Sequence, residues 1–128
     1  MLWLPHRSLL AGCLAVSLAA SPVWCAAHAR LEQAEPARRA TLAAAPTQVR
    51  LRFSEAVELQ YSHLSVTDNA GHVLSTAPTL AADAKTLALA LPMLAPGAYS
   101  VHYRVLSVDG HVIESTYRFT VRAPAGEK

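Results

Sequence analysis

The segment Tyr99-Ser100-Val101-His102-Tyr103-Arg104-Val105 decides how the chain folds. In an extended backbone Tyr99, Val101, Tyr103 and Val105 face one way, and Ser100, His102 and Arg104 face the other. An apolar face alternating with a polar one is the pattern of a half-buried β-strand. Working outward, Pro96-Gly97 supplies a turn just before it. Leu87, Leu89 and Leu91 alternate upstream until Pro92 stops them, and Val49, Leu51 and Phe53 alternate with Arg50, Arg52 and Ser54. Leu64 and Val66 repeat the pattern, followed by a turn at Asn69-Ala70-Gly71 before Val73 and Leu74. Tyr117, Phe119 and Val121 close the series. Short strands with turn signals at roughly ten-residue spacing predict an all-β domain, a small antiparallel Greek-key β-sandwich of about seven strands. The alanine-rich piece from Ala37 to Ala45, bounded by Pro36 and Pro46, reads as a connection or a single turn.

Ahead of the strands, residues Met1 to Ala27 read as a cleavable secretory signal. His6 and Arg7 give a short basic start, Leu9 to Ala20 an apolar core, and Ser21-Pro22 a break. Cys25-Ala26-Ala27 places small residues at the −3 and −1 positions. A transmembrane anchor needs about 20 apolar residues, more than this run supplies. Leu10-Ala11-Gly12-Cys13 matches a lipoprotein cleavage box, but it precedes most of the apolar core and so has the wrong geometry.

Cleavage after Ala27 leaves 101 of the 128 residues: a domain over 28–122 and a polar tail over 123–128. Both cysteines (Cys13, Cys25) leave with the leader, so the exported domain is predicted to stand on its core without a disulfide. It carries ten Lys/Arg against nine Asp/Glu, scattered singly. That balance points away from nucleic acid and anionic membranes. No Ser-His-Asp order, glycine-rich phosphate loop or paired catalytic carboxylates stand out, so no catalytic residue is assigned and a non-enzymatic role is expected.

Cleavage also makes His28 the first residue. Its α-amine and imidazole Nδ1 then close a six-membered chelate ring on a metal, and both lose their protons near neutral pH. Nitrogen pairs of this kind suit copper(II), which takes tetragonal nitrogen and oxygen ligands. Asp109-Gly110-His111 supplies a second pair: in an extended segment residues two apart project from one side. A carboxylate and an imidazole would complete four ligands. The bland readings are a histidine left by chance at the cleavage site and an Asp-Gly hairpin turn with His111 exposed beside it. Each bland reading is the stronger for its residue alone; the combination is more specific than its parts.

The chain resembles the CopC family of copper-resistance proteins. The likeness runs through His28-Ala29-Arg30-Leu31, Glu35-Pro36, Ala45-Pro46, Val49-Arg50-Leu51-Arg52-Phe53-Ser54-Glu55 and Pro96-Gly97-Ala98-Tyr99. It continues through Tyr103-Arg104-Val105-Leu106-Ser107-Val108-Asp109-Gly110-His111 and the Tyr117-Phe119-Val121 strand. The resemblance implies a periplasmic, cupredoxin-like sandwich that binds one copper(II) ion, with His28, Asp109 and His111 as its ligands. It also implies Glu55 close to the metal without binding it, and a CopD-like inner-membrane copper transporter as partner. A monomer is expected, with no membrane-spanning segment once the leader is gone. Some members carry a copper(I) site in a methionine-rich loop; here the exported chain has Met93 alone, too few thioethers for such a site.

Two other functions fit parts of the pattern. The same amine and imidazoles form a histidine brace in copper monooxygenases, although Asp109 would occupy a position that oxygen activation needs open. A metal-free exported adhesion or assembly module uses the sandwich alone. His63 and His72 flank the predicted hairpin as solvated turn residues, and His102 points outward from its strand.

Overall fold

The computed structural model describes residues 29–124. The expected leader, His28 and the end of the expected tail (125–128) lie outside the described residues. Nine strands form: β1 (Leu31–Glu35), β2 (Thr41–Leu42), β3 (Gln48–Phe53), β4 (His63–Asp68), β5 (Val73–Ser75), β6 (Thr79–Leu80), β7 (Thr86–Ala90), β8 (Gly97–Leu106) and β9 (Val112–Val121). One 3₁₀ turn, Leu59–Tyr61, separates β3 from β4. One sheet runs β1-β3-β7-β6 and the other β2-β9-β8-β4-β5.

The alternation places the core where expected. Val49, Leu51 and Phe53 of β3 are fully buried, as are Leu87 and Leu89 of β7. Opposite them, Tyr99, Val101, Tyr103 and Val105 of β8 and Tyr117, Phe119 and Val121 of β9 turn inward. Leu64 and Val66 of β4 join the same cluster. Burying each such side chain favours folding by about 1.5–3 kcal/mol. Phe53 meets Tyr103 edge-on across the gap between the sheets, with centroids 5.9 Å apart.

Two details differ from the sequence reading. Among the described residues there are nine strands rather than about seven, because β2 and β6 are two residues long and too short to display a period. The sandwich is also not wholly antiparallel. The alanine-rich connection carries β2, which lies parallel to the end of β9 with Thr41 opposite Thr120. Arg39 (φ 60°) turns the chain there, its N–H bonding to Arg118 O at 2.7 Å, and Thr120 N–H reaches Ala40 O at 2.8 Å.

The corner between β1 and β2 is fastened to the second sheet by side chains. The Tyr117 hydroxyl donates to the buried Pro36 carbonyl at 2.9 Å. Arg38 lies over the Tyr117 ring, 5.6 Å from its centre, and donates to the Tyr103 hydroxyl at 3.0 Å. Among the described residues no helix is long and apolar enough to cross a membrane.

Candidate metal centre

β8 and β9 form a ladder of ten rungs, from Gly97 opposite Val121 to Leu106 opposite Val112. Past the last rung the chain reverses through Ser107–His111. Ser107 N–H bonds to His111 O at 2.9 Å, and Gly110 N–H closes the turn on Ser107 O at 2.9 Å. This is a three-residue loop, Val108-Asp109-Gly110, with the glycine in the left-handed region at φ +89°. Asp109 and His111 therefore do not lie in the extended segment that their i, i+2 spacing suggested. A tight hairpin turn brings them together instead, so the hairpin reading of Asp-Gly and the meeting of the two side chains are both true.

The meeting is close. Asp109 Oδ2 lies 3.1 Å from His111 Nδ1, and the two side chains are 39% and 42% exposed. Two donors on adjacent corners of a tetragonal metal, with bonds of about 2.0–2.1 Å, stand about 2.9 Å apart. The pair thus has nearly the spacing that a shared ion requires.

Ser107 sets the carboxylate. It is 1% exposed, and its hydroxyl donates a hydrogen bond to Asp109 Oδ1. Ser107 Oγ in turn accepts His111 N–H at 3.2 Å, and Asp109 Oδ1 accepts it at 3.4 Å. Asp109 is held below the usual carboxylate range, first by the Ser107 hydroxyl and then by the His111 side chain, with desolvation opposing. Its carboxylate is consequently charged at neutral pH and available to a cation.

Two clamps bring other segments to this loop. Val108 N–H bonds to Ala56 O at 2.9 Å, and Val57 forms a bridge with Ser107. Glu55, partly buried, is the neighbour of Ala56 and so stands beside the hairpin in the chain path. One residue earlier, Ser54 and Arg30 exchange two bonds: Ser54 N–H to Arg30 O at 2.9 Å, and Arg30 N–H to Ser54 Oγ at 3.0 Å. Ala29 is buried. The start of the described chain is thereby fixed beside residues 54–56, which hold the hairpin. Of the residues expected at the site, Asp109 and His111 meet, Glu55 borders the clamp, and His28 lies outside the described residues. Among the described residues no group of three or more His, Cys, Asp and Glu side chains could hold a metal.

Ser107 stands in the sequence as one member of the Ser-x-Asp-Gly-His segment, with nothing in that segment to mark its role. The available signal was the alternation itself: Tyr103 and Val105 point inward, and the next inward position is a serine. The other histidines are resolved differently. His63 opens β4 and is exposed. His72 is exposed, its Nδ1 3.0 Å from Asp68 Oδ2. His102 is more than a surface residue: its ring nitrogens lie 3.0 Å from Thr67 Oγ1 and from Thr116 Oγ1.

Known proteins share both the sequence and the fold. Residues 31–122 match the model of the CopC domain. The chain is similar to protein YobA of Escherichia coli K12, 37% identical over 112 residues that cover 85% of this chain and 89% of YobA. Its structure is similar to the crystal structure of CopC from Methylosinus trichosporium OB3b, with a TM-score of 0.73 and 39% identity over 79% of this chain and all of that one. It is also similar to PcoC, a methionine-rich copper resistance protein from Escherichia coli, with a TM-score of 0.62 and 30% identity over 75% of this chain and all of PcoC. With a matching domain model across most of its length and relatives covered almost end to end, the chain belongs to the CopC family of copper-resistance proteins.

Proposed function

We propose that this protein is exported to the periplasm, loses residues 1–27, and carries one copper(II) ion as cargo. The ion is bound by the α-amine and Nδ1 of His28, the Asp109 carboxylate and the His111 imidazole. The observation that carries this reading is the 3.1 Å approach of Asp109 Oδ2 and His111 Nδ1 at a half-exposed hairpin tip. The Arg30–Ser54 and Ala56–Val108 bonds support it, since they hold the residues just after His28 near that tip. Glu55 lies close by without binding the ion. The role is that of a carrier rather than an enzyme: four protein donors fill the equatorial positions that oxygen chemistry would need. A CopD-like inner-membrane transporter is the recipient that the family membership suggests.

The test is a copper(II) titration with EPR on three proteins: one beginning at His28, one with an additional residue ahead of His28, and Asp109→Asn. The additional residue turns the amine into an amide and removes a ligand. Both changes are expected to weaken binding by more than about 100-fold and to alter the spectrum, since replacing partners outside the ligand set already costs 10–100-fold. Equal affinities and identical spectra for all three would end the proposal.

A further inference from the structure

We propose that Ser107 is the positioning residue of the copper site, its buried hydroxyl orienting the Asp109 carboxylate toward His111 and the ion. The proposal rests on the copper reading above and adds a residue to it.

Packing alone does not explain a serine at position 107. The inward series of β8 runs Tyr99, Val101, Tyr103 and Val105, all buried, and Ser107 continues it at 1% exposure. A buried hydroxyl is unfavourable unless it is paired, so an apolar residue would suit that row better. Here every polar atom of the residue is directed into the five-residue turn. The N–H goes to His111 O, the carbonyl accepts from Gly110 N–H, and the hydroxyl reaches Asp109 Oδ1 while accepting His111 N–H.

The hydroxyl has one proton and two oxygens within reach. His111 O is 3.2 Å away and already accepts the Ser107 N–H at 2.9 Å, whereas Asp109 Oδ1 belongs to a charged carboxylate, the stronger acceptor. The proton therefore goes to Asp109. That bond selects one rotamer of a side chain which, at a loop tip, would otherwise sample several. With Oδ1 held, Oδ2 is the oxygen that faces His111 Nδ1. Ser107 thus acts on the metal through Asp109 and the His111 backbone, without touching it.

The experiment uses the mature protein beginning at His28, titrated with copper(II) and read by EPR, with thermal melts of each metal-free variant. Ser107→Ala is expected to bind copper 10–100-fold more weakly and to change the spectrum of the saturated complex, because the carboxylate is no longer aimed. A purely structural serine would lower the melting point and leave that spectrum as it was. The pair Ser107→Thr and Ser107→Val keeps the test open should the alanine variant fail to fold. The two are close in volume and differ in the hydroxyl, and the threonine protein is expected to bind at least tenfold more tightly than the valine one. Equal binding by that pair, or a wild-type spectrum and affinity in Ser107→Ala, would overturn the proposal. Asp109→Asn, titrated alongside, separates the two ideas. Weakened binding there with Ser107→Ala unaffected removes Ser107 and leaves the copper site standing, whereas unweakened binding in Asp109→Asn removes the site itself.

Discussion

Replacing Tyr117 by phenylalanine isolates the bond that fastens the β1–β2 corner to the second sheet. The ring stays, and with it the burial of the side chain and the position of Arg38 over its face, 5.6 Å from the centre. Only the hydroxyl is lost. Burial pushes the Tyr117 phenol well above its ordinary value, so it is a hydrogen-bond donor at any physiological pH. Its acceptor, the Pro36 carbonyl at 2.9 Å, belongs to a buried residue and would be left without that partner. A buried polar group stripped of its partner costs about 1–3 kcal/mol, and the slightly greater apolarity of phenylalanine returns part of that. The net expectation is about 1–2 kcal/mol. For a domain of this size each kcal/mol moves the melting point by about 4–8 °C. The metal-free protein should therefore melt about 4–16 °C lower. Copper affinity should be unchanged, because Tyr117 is five residues along β9 from Val112, about 17 Å from the hairpin tip. The assay is a thermal melt followed by circular dichroism, with a copper titration on the same sample. A fall of less than about 2 °C would refute the reasoning, since it would mean that water already serves the Pro36 carbonyl.

Gly110→Ala tests the turn itself. A Cβ at this position meets nothing within 4 Å, so the cost comes from φ +89° alone, about 1–2 kcal/mol in a denaturant titration; an unchanged midpoint would contradict the geometry. Acid stability should depend on two aspartates far along the chain from the hairpin. Asp68 is lowered chiefly by the His72 backbone N–H and Asp83 chiefly by the Lys85 backbone N–H. A carboxyl lowered in the folded state binds fewer protons there than in the unfolded chain. Its stabilising contribution is thus complete above the ordinary value of 3.8 and disappears as pH falls through the lowered one. Asp68→Asn and Asp83→Asn should flatten the loss of stability below about pH 4 in denaturant titrations at stepped pH, and an unflattened curve would reject the assignment.

The period of two was enough to locate most of the core, because an alternating strand reveals its buried face by composition. Val49-Arg50-Leu51-Arg52-Phe53 and the Tyr99–Val105 segment needed nothing else. The pattern weakened where composition does not follow burial. β9 begins at Val112 and its burial alternates throughout, yet before Tyr117 its inward positions are the half-buried Ile113 and Ser115, beside an exposed Val112. Two-residue strands such as β2 and β6 have no period to read. The Asp109–His111 pair was legible from spacing, but for an incorrect reason: i and i+2 meet across a tight turn rather than along a strand. Ser107 was hidden because serine is common in turns, and only its place in the inward row separates it from an ordinary loop residue. Similarly, nothing in Thr67 or Thr116 announces that each will meet His102, since that depends on strand order.

The lengths of the border strands bear on how concentrated this protein can become before chains associate. Each sheet ends in two strands with one unpaired side, and such sides are templates for other chains. One sheet is bordered by β1, five residues with a bulge between Leu31 and Gln33, and by the two-residue β6. The other is bordered by β2 and by β5, two and three residues long. Of the ten-residue strands, β8 lies inside its sheet, whereas β9 meets β2 only at Thr120 and Val121, which leaves its outer side from Val112 to Tyr117 without a strand partner among the described residues. That stretch of β9, rather than the short border strands, is the longest template an incoming strand could meet. Crowded chains would therefore associate first along it.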